Sequence, residues 1–240
     1  MQSNSTFKRL RDALQQGIYR IINPMVHGMI KAGMTPNTVT TIGLLGNIAA
    51  AGIFVAAGLM SEGTAIVAGT VIETFNYHWG LVTLAGAVII LFSLFDMLDG
   101  QVARLGNMAS RYGALYDSTL DRYCELLTLG GIAYYMMMIE QPLGALIAFV
   151  ALVGSVMVSY VRARAEGLGI ECKVGFMQRP ERVVVTSVGA LAAGITGMAG
   201  NGQAAIIILE VATGIIAVFA NITAFMRLAH CRRELTRADK

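Results

Sequence analysis

Six apolar segments, each about as long as a lipid bilayer is thick, dominate this sequence of 240 residues. A transmembrane helix needs about 20 apolar residues. The segments are 38–60, 79–99, 113–139, 142–162, 181–200 and 203–226. They leave only short connections, which excludes a sizeable domain outside the membrane. Hydrophobic residues make up 55% of the chain and charged residues 14%, as is typical of membrane proteins. We therefore predict an all-α, polytopic integral membrane protein with six transmembrane helices.

A basic amphipathic pattern precedes the first apolar segment. Apolar residues recur there at helical spacing with basic residues beside them, which predicts a helix that lies in the headgroup region. These residues are Leu10, Leu14, Ile18 and Ile21, with Lys8, Arg9 and Arg11. We divide the chain into this interfacial helix with its lead-in (1–37), a six-helix transmembrane domain (38–229) and a basic tail (230–240).

Lysine and arginine are distributed very unevenly along the chain. All 18 fall on the side of the two termini and of the second and fourth connections, whereas the other three connections have none. Cytoplasmic loops hold an excess of these residues, so we predict that both termini are cytosolic in a plasma membrane protein. The same placement accounts for the net charge of +3 without nucleic acid as a partner. The three cysteines lie towards this reducing side, which predicts free thiols.

Four aspartates lie near the cytosolic ends of the second and third segments: Asp96, Asp99, Asp117 and Asp121. An ionised aspartate within a span costs about 2.5–3.5 kcal/mol, so these carboxylates need a partner. Their spacing places each pair on one helix face, and an antiparallel hairpin would turn the two faces towards each other. Oxygen ligands of this kind suit Mg²⁺ or a similar ion. The alternative is a salt-bridge network with Arg104, Arg111 and Arg122.

Small residues flank the aspartates, so the helix faces are nearly bare and a bulky group can come close. Together they form the pattern Asp96-x-x-Asp99-Gly100-x-x-Ala103-Arg104, eight residues, Gly113-x-x-x-Asp117-x-x-x-Asp121. This pattern resembles the complete signature of the CDP-alcohol phosphotransferases. The six-span layout agrees with that family over nearly the whole chain.

The resemblance implies a metal-dependent enzyme of phospholipid biosynthesis that acts on CDP-diacylglycerol. The hydroxyl of an acceptor alcohol attacks the β-phosphorus, CMP leaves, and a phosphodiester remains. By position in the signature, Asp96, Asp99 and Asp117 are expected to bind metal, as two ions of Mg²⁺ or Mn²⁺. Asp121 is expected to deprotonate the acceptor hydroxyl and to contact the second metal. The family also suggests a homodimer.

The resemblance further implies a binding site for the CDP-lipid. Arg104 would hold diphosphate oxygens, Gly100 and Ala103 would leave room for the cytidine, and Gly113 would let the helices approach. Asn37 and Thr38 resemble the family's first-helix segment beside the nucleotide. Their alternative role is to begin a helix, because Pro36 followed by polar residues is typical of a helix start.

The acceptor is predicted from a second polar set around the loop between the fourth and fifth segments. Its residues are Ser159, Arg162, Arg164, Lys173, Arg179 and Arg182. Arginines at a helix N-terminus form an anion site, which suits an acceptor that carries its own phosphate. The stretch through Gly175 and Arg182 is similar to that of bacterial phosphatidylinositol-phosphate synthases, which use inositol 1-phosphate, although Pro180 departs from their pattern. The alternative explanation is that these residues are basic only because cytosolic loops hold an excess of lysine and arginine.

Two other functions stay open. Another enzyme of the same family, such as a phosphatidylglycerophosphate or phosphatidylserine synthase, would use a different acceptor. A divalent-cation transporter would use the carboxylates for permeation. Transport favours acidic residues near the midplane of the membrane, whereas these four cluster towards the cytosolic helix ends.

Overall fold

Seven helices make up most of the computed structural model, which describes residues 23–61, 64–67, 70–73 and 77–238. The helices are α1 (which includes 23–31), α2 (Pro36–Leu59), α3 (Tyr77–Leu105), α4 (Arg111–Met138), α5 (Pro142–Glu166), α6 (Arg179–Met198) and α7 (Gly202–Ala238). The helical fold class is thus confirmed. The interfacial helix predicted for the N-terminal region falls mostly outside the described residues.

A short hairpin joins α2 to α3. Strand β1 (Thr64–Val67) pairs antiparallel with β2 (Thr70–Glu73), with Thr64 opposite Glu73. The sequence places this stretch in a connection because it is too short to cross a bilayer as a helix.

Four of the helices are long and apolar enough to cross a membrane: Pro36–Leu59, Tyr77–Leu105, Pro142–Glu166 and the Gly202–Arg237 part of α7. Helices α4 and α6 fall below this criterion. Charged residues lower the hydropathy of these two helices. They include Asp117 and Asp121 in α4, and the arginines and the glutamate in the first turn of α6. The membrane character of the chain is confirmed, and six spans stay a prediction.

The helix boundaries follow from local residue chemistry. Pro142 and Pro180 lie in the first turns of α5 and α6, as predicted, where a missing N–H costs least. Ser110 caps α4, because its hydroxyl accepts a hydrogen bond of 2.9 Å from the N–H of Gly113. Helices α3 and α7 continue beyond the predicted apolar segments, since a helix can extend into water once it leaves the membrane.

The chain packs as two compact units whose boundaries fall within α2, α3 and α4. The first unit holds the chain up to Gly43 together with Ser93–Leu120, and the second unit holds Leu44–Phe92 and Asp121–Lys240. The first unit has a small core around Val39, Leu98 and Val102. The second unit has the larger core, in which aromatic and aliphatic residues pack among many alanines.

Glycine allows the close helix contacts within the second unit. A Cβ on Gly131 of α4 would lie 3.1 Å from the Cα of Ala51 in α2. A Cβ on Gly194 of α6 would lie 2.8 Å from the Cα of Thr83 in α3, which is too close for any side chain. Small residues of this kind let backbones approach where no hydrophobic effect drives membrane helices together.

Candidate active site

Three of the four predicted aspartates meet in the first unit. Asp96 and Asp99 lie near the end of α3 and Asp117 lies in the second turn of α4, and one carboxylate oxygen from each lies within 4.8 Å of the others. The short turn between α3 and α4 produces this convergence, because it folds the two helices back on each other. The geometry agrees with the predicted hairpin.

The three carboxylates fit a hard divalent cation. Like charges at this separation repel each other, so a cation among them is stabilising. Neighbouring ligands of an octahedral Mg²⁺ are about 3 Å apart and opposite ligands about 4.2 Å, so the three oxygens would draw together around such an ion. An all-oxygen donor set selects Mg²⁺, Mn²⁺ or Ca²⁺ over softer metals.

Thr40 orients one of these carboxylates, although the sequence did not single it out. Its hydroxyl donates a hydrogen bond of 2.6 Å to Oδ2 of Asp99, and both residues are buried. A partner of this kind fixes the orientation of a metal ligand. A threonine within an apolar helix carries little signal by itself. The available clue was that Thr40 lies three residues after Asn37 and so shares its helix face.

A cavity of about 250 Å³ adjoins Asp99 and Asp117 in the first unit. It is lined by five residues that the sequence assigns to the CDP-lipid: Asn37, Gly100, Ala103, Arg104 and Gly113. The cavity is open at Gly100, because a Cβ there would meet only the guanidinium of Arg104, at 3.7 Å. At Gly100 the helix face is thus as bare as the sequence predicts, whereas a Cβ on Gly113 would lie 3.1 Å from Oγ of Ser110.

Thr38, the remaining residue predicted at the CDP-lipid site, is not among those that line the cavity. Its N–H donates to the hydroxyl of Thr35 at 3.3 Å, and the two hydroxyls are 2.9 Å apart. Thr35 is therefore the N-cap of α2, and Thr38 takes part in the capping. The alternative explanation for Thr38, a helix start, agrees with this geometry.

Asp121 lies in the second unit, where arginines bind it. Nη2 of Arg179 is 2.7 Å from Oδ1 of Asp121, and Nη1 of Arg122 is 3.4 Å from Oδ2. The sequence assigns Asp121 to the metal and to base catalysis, and Arg179 to the acceptor phosphate. The structure pairs these two residues directly.

Arg182 has a different partner from the one that the sequence predicts. Its Nε and Nη2 donate to the two carboxylate oxygens of Glu125 at 2.8 and 3.0 Å, and its Nη1 donates to the carbonyl of Met177 at 3.0 Å. The residue is only 2% exposed. A buried guanidinium requires a buried counter-charge, and Glu125 provides it. Binding of an acceptor phosphate by Arg182 stays a prediction, and it would require the guanidinium to exchange Glu125 for the phosphate.

The two ion pairs form a ladder between α4 and α6. Asp121 and Glu125 are four residues apart on α4, and Arg179 and Arg182 are three apart on α6, so each pair lies about one helical turn from the next. The ladder fixes the first turn of α6 against α4.

Three of the other predicted acceptor residues, Arg162, Arg164 and Lys173, are more accessible. Arg162 pairs with Glu166 at 2.8 Å, and Lys173 pairs with Glu171 at 2.7 Å, in exposed positions. The Lys173 ammonium, through its hydrogen bond, holds the pKa of Glu171 below its usual value. Exposed ion pairs contribute little stability, so a bound anion can compete for these cations. Arg164 is exposed and Ser159 is buried.

Arg227 of α7 fixes the loop that carries Lys173, a role that the sequence did not reveal. Its Nε donates to the carbonyl of Val174 at 2.9 Å and its Nη1 donates to that of Val158 at 2.7 Å. Thr223 accepts a hydrogen bond of 3.3 Å from the N–H of Met177. In the sequence Arg227 looks like the other basic residues of the C-terminal end, which the excess of lysine and arginine on the cytosolic side explains.

Comparisons with known proteins agree on one family. A model of the CDP-alcohol phosphatidyltransferase family matches residues 33–226. The phosphatidylinositol phosphate synthase of Streptomyces avermitilis is 33% identical over 223 residues, which cover 92% of this chain and 81% of that protein. The protein of the same name from Corynebacterium glutamicum is 35% identical over 180 residues, which cover 74% and 71%.

Two solved structures are similar to this chain. The crystal structure of Mycobacterium tuberculosis phosphatidylinositol phosphate synthase with CDP-DAG bound superposes with a TM-score of 0.71 at 28% identity, over 88% of this chain and 94% of that one. The crystal structure of the same protein with manganese and citrate gives a TM-score of 0.71 at 27% identity, over 88% of each chain.

The hydrogen bond from Thr40 generates a prediction about metal affinity. Thr40→Val keeps the shape of the side chain but removes the donor to Asp99, so we expect the affinity for Mn²⁺ to fall about 10-fold to 100-fold. Isothermal titration of the purified protein with Mn²⁺ measures this. Thr41→Val is the matched control, because that hydroxyl contacts Asn37 and Tyr116 instead of an aspartate. Equal Mn²⁺ affinities for the two variants would show that Thr40 does not support the metal site.

Proposed function

This chain is a member of the CDP-alcohol phosphatidyltransferase family, and we propose its reaction from that premise. It transfers the phosphatidyl group of CDP-diacylglycerol to a hydroxyl of inositol 1-phosphate, which gives phosphatidylinositol phosphate and CMP. The main supporting observation is the aspartate trio beside a cavity that is lined by the family signature. The names of the relatives and the CDP-DAG bound to the Mycobacterium tuberculosis protein support the choice of acceptor and donor.

Asp96, Asp99 and Asp117 would hold the divalent metal. When bound, the metal supplies positive charge that neutralises the diphosphate and stabilises the charge that develops during phosphoryl transfer. We propose Mg²⁺ or Mn²⁺, as two ions, with Asp121 as a ligand of the second. The manganese in the Mycobacterium tuberculosis structure supports a metal of this class.

The cavity of the first unit would bind the nucleotide end of the donor. Gly100, Ala103 and Gly113 leave space for the cytidine, and Asn37 offers its side-chain amide at the cavity wall. The guanidinium of Arg104 lies on the same wall and suits the diphosphate oxygens, since arginine forms two parallel bonds to such groups. These contacts hold the phosphorus in position for attack.

Asp121 would act as the general base. It follows Asp117 by one turn of α4, and Arg179 and Arg122 hold its two carboxylate oxygens in place. The carboxylate takes the proton of the acceptor hydroxyl while the hydroxyl oxygen forms its bond to the β-phosphorus. The bond from that phosphorus to the oxygen of CMP breaks, and CMP leaves.

The acceptor phosphate would bind at the basic surface of the loop between α5 and α6. Arg162, Arg164, Lys173 and Arg179 supply the charge, with Ser159 as a further polar contact. Arg162 and Lys173 carry only exposed ion pairs, which an incoming phosphate can replace. The buried arginines Arg182 and Arg227, together with Thr223, keep the loop in position.

The distribution of charge supports a topology for the whole chain. We propose six spans, with α4 and α6 completing the four apolar helices, in the plasma membrane. Both termini and the active site face the cytosol. The functional form is a homodimer, as the family suggests.

Two aspartate variants separate metal binding from base catalysis. Asp117→Asn should raise the metal concentration needed for activity, because it weakens a ligand. Asp121→Asn should bind CDP-diacylglycerol nearly as well as the wild type but lose about 10²-fold to 10⁴-fold in turnover. Release of CMP measured across a metal titration tests both. Near-normal turnover of Asp121→Asn at saturating metal would show that another group is the base.

A panel of acceptors tests the acceptor and its binding site. Inositol 1-phosphate should support CMP release far better than inositol, glycerol 3-phosphate or serine. Arg164→Ala should raise the KM for inositol 1-phosphate about tenfold or more and leave the KM for CDP-diacylglycerol unchanged, because the lost contact is to the acceptor phosphate. Arg232→Ala, which removes an exposed arginine from the tail of α7, is the control. Rapid reaction with inositol or serine, and an unchanged KM in Arg164→Ala, would place the enzyme elsewhere in the family.

Cysteine labelling tests the topology. Asn201→Cys lies in the turn before α7 and Arg237→Cys at the other end of that helix, and both positions are exposed. The native cysteines are buried, which keeps the background low. A membrane-impermeant maleimide should label residue 201 in intact cells and residue 237 only after permeabilisation. The reverse result would invert the orientation.

A further inference from the structure

Tyr116 of α4 directly precedes Asp117, yet the reaction proposed above uses its side chain in no step. Its hydroxyl is 2.9 Å from Oγ1 of Thr41 in α2, and the two residues are 75 positions apart in the sequence. Both belong to the first unit. The contact therefore joins α2 to α4 within the unit that contains the cavity proposed for the CDP-lipid.

The direction of the hydrogen bonds at this contact follows from the number of protons. Oγ1 of Thr41 donates to the carbonyl oxygen of Asn37 at 2.7 Å. A threonine hydroxyl has a single proton, so Thr41 can only accept a hydrogen bond from Tyr116. The chain of hydrogen bonds thus runs from the Tyr116 hydroxyl through Thr41 to the backbone of Asn37. It holds the first turn of α2 from the side of α4.

A second contact joins the same two helices about one turn earlier. A Cβ on Gly113 would lie 3.4 Å from Oδ1 of Asn37, so the Asn37 side chain lies against α4 at that position. Asn37 and Gly113 both line the cavity. Thr41 follows Asn37 by four residues and Tyr116 follows Gly113 by three. The hydrogen bond of Tyr116 is therefore placed to fix the distance between α2 and α4 at this wall of the cavity.

The side of α2 that faces α3 is held independently. Thr40 donates to Asp99 of α3 at 2.6 Å, and successive residues of a helix point about 100° apart. Thr40 thus joins α2 to α3, whereas Thr41 joins α2 to α4. Loss of the Tyr116 hydroxyl should loosen α2 from α4 and leave Asp99 with its partner.

We propose that Tyr116 is a positioning residue for the nucleotide end of the CDP-lipid, and that it acts through Thr41 and Asn37. The inference rests on the proposed function, because it requires that the wall formed by Asn37 and Gly113 binds the donor. A wall of this kind binds the ground state and the transition state equally. Its loosening should therefore raise the KM for the donor and leave kcat unchanged.

Titration calorimetry of the full-length protein in detergent with short-chain CDP-diacylglycerol and Mn²⁺ tests the proposal. Tyr116→Phe removes one hydroxyl, and we expect it to weaken the binding of CDP-diacylglycerol about threefold to tenfold. Tyr112→Phe is the matched control, because Tyr112 lies one turn earlier on α4, is 63% exposed and packs on the ring of Tyr116. It should bind like the wild type. Both variants should keep the wild-type affinity for Mn²⁺, since Thr40 still contacts Asp99.

Variants of Thr41 test the route of the effect. Thr41→Ser keeps the hydroxyl and should bind CDP-diacylglycerol like the wild type, whereas Thr41→Val should weaken binding at least as much as Tyr116→Phe. The double variant Thr41→Val, Tyr116→Phe should bind no more weakly than Thr41→Val, because both changes break the same chain of hydrogen bonds.

Release of CMP with inositol 1-phosphate separates this proposal from the function on which it rests. Tyr116→Phe should raise the KM for CDP-diacylglycerol by the same factor as its dissociation constant, with kcat and the KM for inositol 1-phosphate unchanged. Equal CDP-diacylglycerol binding by Tyr116→Phe and Tyr112→Phe, or additive effects in the double variant, would overturn the role of Tyr116. Weakened binding in Tyr116→Phe without any CMP release by the wild type would support that role and contradict the proposed reaction alone.

Discussion

An ionised carboxylate within a membrane helix is stable only beside positive charge, and this constraint organises the functional parts of the chain. The two units meet it in different ways. In the first unit three aspartates converge closely enough to share one cation. In the second unit Asp121 and Glu125 each bind an arginine of α6. The first arrangement leaves oxygen ligands for a metal, and the second also fixes α6 against α4.

The rest of the architecture serves these charged groups. Close helix contacts need glycine, and the glycines of the signature also leave an open face beside the aspartates. Arg227 of α7 holds the loop that carries basic side chains, because it donates to the carbonyl of Val174 in that loop and to the carbonyl of Val158 in α5. Buried arginines thus provide the framework, and exposed basic residues of the same loop remain able to bind an anion.

The sequence predicts most of the fold and the aspartate trio, because bilayer thickness and helical periodicity are read directly from residue spacing. It misses features that depend on which helices become neighbours. Thr40 is one example, since only the fold shows that its hydroxyl reaches Asp99. Arg182 is another, because its pairing with Glu125 joins residues 57 positions apart. Basic residues at helix ends look alike in the sequence, whether they face water or stabilise a buried carboxylate.

We propose above all that Asp96, Asp99 and Asp117 form the divalent-metal centre of a phosphatidyltransferase. Anomalous diffraction from crystals grown with Mn²⁺ tests it most directly, because the manganese signal locates the ion without reference to activity. We expect a peak bound by oxygens of all three aspartates, and loss of that peak in Asp117→Asn. Manganese bound elsewhere in the chain, with these three carboxylates paired only to protein groups, would contradict it.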